Sequence, residues 1–471
     1  AMVRKELLRL PNYETGETFT DDEIDGGGLR VTTTFTPKAM DAAREGVEES
    51  RPDLSDKQLH VGVASVEPGT GAVRGIFGGQ DFLQSQINWA VAGGQAGSIL
   101  KPFALVAAIR DGFSLEDSFD GDSPYLLPDG NDVENQGNES FGPVSMIEAT
   151  KHSINTAFID MTLGMDNGPE KILSAMNEMG LPPEKAKSAN APGFPNRTPG
   201  LIPTTGIALG SATVSPINMA NAYATIAAGG EAAEPFIIDK VTDSDGTVLY
   251  RHKVKTEQVV DEDIAAGVSY ALQQVVTIDG TGYRALDLGR PAAGKTGTST
   301  NDDGDVVSSW FTGFTPQLAT SVVYVRGKGA EPLDGFLEPF YGGTYPAGTW
   351  TQVMLRAMEG LEVEEFPEPA YVDGEAPSEG HEPYTPPPSP TKTPKPTETP
   401  TESETPTEEP TPTEEPTPTE SPTDTCGVLG CPSPTDEPSQ SGSPSTPPSG
   451  GASQSGGGQG GRGRGRRVRH G

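Results

Sequence analysis

Cysteine is almost absent from this chain. Among 471 residues only Cys426 and Cys431 occur, so nothing upstream of them can serve as a thiol nucleophile or a thiolate metal ligand. The pair would close a small disulfide loop in an oxidising compartment, yet it lies in a segment with no other sign of structure. Positive charge is scarce as well: 33 Lys and Arg face 67 Asp and Glu, a net charge of −34. A body and a tail that are both acidic repel phosphate, which argues against nucleic acid as a partner. Long hydrophobic runs are missing too. There is no run of eighteen apolar residues and no signal peptide, so no segment of this sequence is expected to cross a membrane as a helix.

Apolar residues make up 33% of the chain, a low share for a fully packed protein, and the shortfall is local. From about Pro377 onward the sequence is Pro, Thr, Ser and Glu, then Gly and Arg, with near-repeats such as Pro-Thr-Glu-Glu-Pro-Thr-Pro-Thr at 406–413. Such a segment buries too little apolar surface to offset its ordering entropy. The expected organisation is therefore a globular body over residues 30–362, one large domain or two closely fused ones, and a disordered tail over 363–471. Where extended, a Pro-rich spacer covers about 3.1 Å per residue and would reach tens of ångströms. Arg462, Arg464, Arg466, Arg467 and Arg469 end the tail in a basic tip, suited to an anionic polymer or lipid surface, or simply solvated.

Within the body, helix and strand signals alternate. His60 to Phe77 reads as a hairpin broken by Glu67-Pro68-Gly69-Thr70-Gly71, and Ile237 to Tyr250 as another around Asp243-Ser244-Asp245-Gly246. Pro216 to Ala228 opens on proline and stops at Gly229-Gly230, a well-marked helix. Asp261 to Val276 and Thr349 to Met358 read as helices, and Trp310 to Thr315 with Ala319 to Val325 as consecutive strands. The fold class expected is α+β, an antiparallel central sheet with helices on both faces. The acidic run Asp302-Asp303-Gly304-Asp305 reads as a polar turn, because its spacing does not match a calcium loop.

Three polar motifs carry the chemistry. Ser98-Ile99-Leu100-Lys101 is expected at a helix start, with Lys101 one turn beyond Ser98 on the same face. Serine is a poor nucleophile until a base takes its proton. Lys101 can be that base only when neutral, which requires burial and a nearby positive charge such as Lys295. The helix start would also offer free N–H groups to an oxyanion; as a bare string, the motif is equally an N-cap serine. Ser153-Ile154-Asn155 precedes the apolar run Thr156 to Leu163, which would hold it on a loop at a rigid edge. Its serine can relay a proton and its asparagine can orient an amide. Lys295-Thr296-Gly297-Thr298 occurs once; its glycine lets a substrate backbone approach, and its polar side chains are donors for a carboxylate. The first two motifs recur as strings at Ser389–Lys392, Ser188–Asn190 and Ser299–Asn301, so context and not the string distinguishes the chosen copies.

The trio resembles that of the penicillin-recognising serine acyltransferases. The resemblance extends through Gly27 to Thr34, Gly78-Gly79 with Asn88 and Ala90, Ala208-Leu209-Gly210 with Met219 to Tyr223, and Gly280-Thr281. It continues through Trp310 to Pro316 and Gly342 to Ala347. Over residues 25–362 the chain is similar to the transpeptidase domain of class A, bifunctional penicillin-binding proteins, of actinobacterial type. Val3 to Leu8 is similar to the segment that follows the glycosyltransferase domain in those proteins. Residues 1–29 are thus expected as a linker from an upstream domain and membrane anchor not contained in this chain.

That resemblance implies a D,D-transpeptidase outside the cytoplasmic membrane, at the cell wall. Its substrates would be peptidoglycan stem peptides, its inhibitors β-lactams and its associates other cell-wall synthesis proteins, with no cofactor and no metal. Ser98 would attack the D-Ala-D-Ala carbonyl and Lys101 would be the base. Ser153 and Lys295 would carry the proton to the leaving amine, and Asn155 would hold the acyl chain. The N–H groups of Ser98 and Thr298 would form the oxyanion hole, and Thr296 and Thr298, spaced by Gly297, would bind the carboxylate. Ala96 stands where proline commonly precedes Gly-Ser, and Ser308-Ser309 precede Trp310 where aspartate is frequent; both bear on substrate fit. The alternatives are a D,D-carboxypeptidase and a sensor that acylates without turnover. A β-lactamase would need a carboxylate to activate water; Glu170, after Pro169, instead reads as the first turn of a helix.

Overall fold

The computed structural model describes residues 2–52, 58–79, 85–186, 193–335 and 340–372. The Pro-rich repeats, the cysteine pair and the arginine tip, all within 373–471, lie outside the described residues.

The centre is a five-stranded antiparallel sheet of β1 (Leu59–Val66), β2 (Val73–Phe77), β3 (Ala293–Thr300), β4 (Val306–Thr315) and β5 (Leu318–Arg326), in the order β3-β4-β5-β1-β2. The hairpin expected over His60 to Phe77 is there as β1 and β2, and the consecutive strands expected from Trp310 to Val325 are there as β4 and β5, with β4 beginning at Val306, four residues ahead of Trp310. Its strands are buried on both faces, so they read as nearly continuous apolar runs. Val61, Val63, Phe311, Val322 and Tyr324 enter one core, while Ala64, Val66, Trp310, Phe314 and Val323 enter the other. Hydroxyls that face each other across strands satisfy one another, Ser65 with Thr320 at 2.9 Å and Thr312 with Ser321 at 2.8 Å.

Helices α1 (Pro37–Ser50) and α8 (Tyr345–Ala357) cover the first face. The second is covered by α6 (Pro216–Ala227) and α7 (Glu262–Val275), beyond which lie α2 (Lys101–Arg110), α3 (Met146–Lys151), α4 (Asn155–Gly164) and α5 (Gly168–Glu178). α6 and α7 match the expected helices closely, and α8 starts four residues before its expected Thr349 because Tyr345-Pro346 supplies the first turn. α2 is apolar around its whole circumference and buries Lys101 through Ile109, the signature of a helix inside the core. Glu170 lies in the first turn of α5 with Pro169 beside it, a place that favours a carboxylate for helix stability.

Both ends of the described chain add to the body. Residues 2–29, expected as a linker, fold back on it: Leu7, Leu10 and Phe19 are buried, Thr20 and Glu23 form a capping box, and Tyr13 N–H donates to Leu249 O at 2.7 Å. This places them against a small antiparallel sheet of Arg30–Thr33, Ile238–Thr242 and Val248–Arg251. At the other end, residues 363–372, assigned by composition to the tail, run along the second core. Phe366 packs edge-on against Phe314, Val372 contacts the same core, and Leu115 N–H donates to Tyr371 O at 2.8 Å. The strap lacks a periodic pattern, which is why composition misplaces it. A chain ended at Glu362 is expected to be about 2 kcal/mol less stable than one ended at Val372, the worth of two half-buried apolar side chains. Urea unfolding of the two chains checks this.

Candidate active site

Ser98 does not begin an α-helix. It sits in a 3-10 turn, Gly97–Leu100, and α2 starts only at Lys101. No side-chain cap bond is made at either junction, which removes the N-cap reading of this serine. Gly97 has φ +57°, and a Cβ there would lie 2.7 to 2.9 Å from the backbone of Thr298. Gly297 answers from the strand, where a Cβ would lie 2.6 Å from Ala96 O. The close neighbour that Gly297 admits is thus the protein's own turn, not a substrate backbone as the motif suggested. Together the two glycines bring the backbone of Ser98 against that of Thr298 on β3, whose other edge has no partner strand among the described residues.

Ser153 follows α3 with φ +58°. Its N–H donates to Thr150 O at 3.2 Å and Ile154 N–H to Ala149 O at 2.9 Å, the paired bonds of a Schellman ending. Glycine normally fills that left-handed position, and a serine there costs about 1 kcal/mol. Asn155 then opens α4. No side chain of its own segment caps that helix; the buried Asn135 does so from outside, its Oδ1 accepting Thr156 N–H at 3.0 Å. Asn155 Nδ2 donates to Glu134 O at 3.0 Å, so both walls of the Asn155 site are tied to one loop.

The three motifs converge on Ser153 Oγ. Lys295 Nζ donates to it at 2.7 Å, and Lys101 Nζ lies 3.2 Å from it. Lys101 also reaches Ser153 O at 2.7 Å and Asn155 Oδ1 at 2.9 Å, and its nitrogen sits 4.9 Å from the centre of the Phe158 ring. Both lysines are completely buried. Burial, with the Lys295 charge added, holds the Lys101 amine well below the usual lysine range, and burial brings Lys295 down to about 7. As a neutral amine Lys101 spends its two protons on the carbonyl oxygens of Ser153 and Asn155 and turns its lone pair to the Ser153 hydroxyl.

These groups open into one cleft of about 800 Å³, lined among others by Ser98, Ser153, Asn155, Thr296 and Thr298. Thr298 Oγ1 accepts Gly342 N–H at 3.2 Å, and Thr296 Oγ1 donates to Thr281 Oγ1 at 2.9 Å. Gln95, just ahead of the Ser98 turn, is fixed by Ser299 Oγ at 2.7 Å on its side chain and by Ser308 Oγ and Trp310 Nε1, each at 2.6 Å, on its carbonyl. Ser308, one of the two serines ahead of Trp310, thus makes a short bond to the Gln95 carbonyl. The acidic run forms a turn between β3 and β4, Asn301 Oδ1 accepting from the N–H groups of Asp303 and Asp305. Asn135, Gln95 and Thr281 went unrecognised in the motifs. Gly280-Thr281 is a landmark without a role, Asn135 lies in a polar stretch and Gln95 among small residues, and the partners of both are distant in sequence.

Residues 61–334 match the family model described as the penicillin-binding protein transpeptidase domain. The chain belongs to this family. Within the transpeptidase family it is 34% identical over 396 residues to penicillin-binding protein 1A of Mycolicibacterium smegmatis, covering 82% of this chain and 48% of that protein. It is 33% identical to penicillin-binding protein 1A of Mycobacterium tuberculosis, covering 79% and 44%. The chain therefore spans about half the length of the curated relatives it matches. Two solved structures of PonA1 from Mycobacterium tuberculosis superpose on it. The one in complex with penicillin V has a TM-score of 0.67 at 32% identity, covering 79% of this chain and 95% of that one. The other has a TM-score of 0.69 at 31% identity, covering 83% and 99%. Among the described residues no helix is long and apolar enough to cross a membrane.

Burial of Lys295 fixes the sign of a pH effect. The unfolded chain keeps this lysine near 10.5, so between about 7 and 10.5 it binds the proton that the folded chain has lost. Unfolding then takes up a proton, and stability rises with pH across that window by up to about 1.4 kcal/mol per unit. Lys101 acts in the same direction. Lys295→Met is expected to flatten the slope, which urea unfolding at a series of pH values between 7 and 10 measures.

Proposed function

We propose that this chain is a D,D-transpeptidase that cross-links peptidoglycan stem peptides through a Ser98 acyl-enzyme. The observation that carries the reading is one hydroxyl, Ser153 Oγ, within hydrogen-bond reach of two buried amines at the floor of the cleft that holds Ser98. In acylation the neutral Lys101 amine exchanges its loose 3.2 Å contact with Ser153 Oγ for Ser98 Oγ and takes its proton. Ser98 Oγ attacks the penultimate D-Ala carbonyl, and the N–H groups of Ser98 and Thr298 stabilise the oxyanion. The proton then passes from Lys101 through Ser153 Oγ, which Lys295 holds, to the amine of the departing D-alanine. Asn155 orients the acyl chain, and the Thr296–Thr298 strand binds the terminal carboxylate. An amine of a second stem then attacks the ester and returns Ser98 to its hydroxyl form.

β-Lactams mimic the dipeptide and trap Ser98, a reading supported by the similarity to a PonA1 structure that contains penicillin V. The substrate places the domain on the outer side of the cytoplasmic membrane, among other cell-wall synthesis proteins. No cofactor enters any step. Glu170, the carboxylate considered for water activation, is not among the residues lining the cleft.

Fluorescent penicillin is expected to label the protein covalently, and Ser98→Ala to abolish the label; an equally labelled variant would falsify the assignment. Lys101→Met should lower the second-order acylation rate by about 10²–10⁴-fold, the usual contribution of a general base. With stem-peptide substrates, D-alanine release accompanied by cross-linked product is expected. Hydrolysis alone would identify a carboxypeptidase, and acylation without turnover a sensor.

A further inference from the structure

One side chain of the cleft keeps hydrogen-bond donors that no other residue takes up. Gln95 stands three residues before Ser98 and lines the cleft with Ser98, Ser299 and Thr300. Its Oε1 accepts Ser299 Oγ at 2.7 Å. A carboxamide also carries two N–H protons, and among the described residues neither meets an acceptor. Were the amide turned over, Ser299 Oγ would take one of them and the other would still be free.

The main chain of Gln95 is held independently of that group. Its carbonyl accepts from Ser308 Oγ and Trp310 Nε1, each at 2.6 Å, and Gly94 and Gln95 pair with Val214 and Thr213 in a short antiparallel ladder. A Cβ on Gly94 would lie 2.9 Å from Val325 and 3.2 Å from Ser308, so this segment is pressed onto β4 and β5. The carboxamide thus starts from a fixed backbone and is tethered at its oxygen, and ordering it on a ligand costs little entropy.

The order of residues along β3 decides which part of a ligand lies there. In the reading above Thr296 and Thr298 take the terminal carboxylate, Ser98 stands against Thr298, and Ser299 and Thr300 come next on the strand. A peptide laid along β3 has its carboxylate on one side of Ser98 and the chain that precedes the reacting carbonyl on the other. Gln95, bonded to Ser299, belongs to the second side. Asn155, assigned to the same acyl chain, has already given one amide proton to Glu134 O, which leaves room for a further donor.

We infer that Gln95 is a specificity-determining residue: its carboxamide N–H donates to a carbonyl oxygen of the acyl chain, so that the cleft favours donors with an amide before the reacting carbonyl over donors without one. This rests on the transpeptidase reading of the cleft. The competing role is purely structural, a tie between the Ser98 turn and β3 through Ser299.

The test compares penicillin V, whose side chain carries such a carbonyl, with aminopenicillanic acid, which has the same ring system and carboxylate and no acyl side chain. The readout is the ratio of their second-order acylation rates on the wild-type chain, Gln95→Met and Gln95→Glu. Gln95→Met removes the amide, whereas Gln95→Glu keeps an oxygen for Ser299 Oγ and so preserves the tie. The charge that glutamate adds acts on the carboxylate that both ligands share and cancels in the ratio. Both variants keep the main-chain bonds to Ser308, Trp310 and Thr213, so both should fold. The ratio of penicillin V to aminopenicillanic acid is expected to fall about 3- to 10-fold in each variant, the worth of one neutral hydrogen bond. A ratio within about twofold of wild type in either variant, whether both rates drop together or neither does, overturns the inference and leaves Gln95 as a tie. Failure of the underlying reading looks different: the wild-type chain would be acylated by neither ligand, or Ser98→Ala would still be labelled.

Discussion

Two amines that share one hydroxyl in a dry interior set the terms for the rest of this structure. Lys101 and Lys295 are both completely buried and both reach Ser153 Oγ. Two positive charges this close, cut off from water, cannot both persist. The pair is driven towards a state with one proton too few, and that deficit is what a serine nucleophile needs from a neighbour. Lys101 owes its burial to α2, a helix with no polar face below its last residue. The same apolar helix that anchors the core thus buries the proposed base.

The groups around this pair are carried by backbone and not by long side chains. Ser98 rides a 3-10 turn pressed against β3 through two glycines, and Ser153 occupies a left-handed helix ending that a glycine would fill at lower cost. Strain of this sort persists where surrounding contacts over-determine it. Here they include the Schellman bonds, the amines on the Ser153 side chain, and Asn135 capping the next helix. Among the described residues β3 is an edge strand, so its open side offers a row of backbone donors and acceptors to an extended peptide. The sheet supplies both a rigid floor and a docking edge for the proposed substrate.

Much of this was legible from residue order, for identifiable reasons. Periodicity and turn residues located β1, β2, β4, β5, α6 and α7, because those elements have distinct faces or sharp ends. Lys295 to Thr298 lie on β3. What stayed hidden depends on distant partners. The 3-10 turn at Ser98 is imposed by β3 packing on Gly97, and no local propensity encodes that. Asn135 caps a helix by accepting from Thr156 N–H, 21 residues later in sequence, and Gln95 is held by strands that come much later. The folded N-terminal segment and the 363–372 strap were misplaced because they bury a few side chains each within otherwise polar stretches.

The depressed lysines also leave a mark on the heat of unfolding. At neutral and mildly alkaline pH the folded chain has already given up protons that the unfolded chain takes back. Those protons come from the buffer, and their removal carries the buffer's own heat of ionisation. The same domain therefore absorbs different amounts of heat on melting in phosphate and in an amine buffer, although nothing about its contacts has changed. The difference counts the protons that the interior refuses to hold.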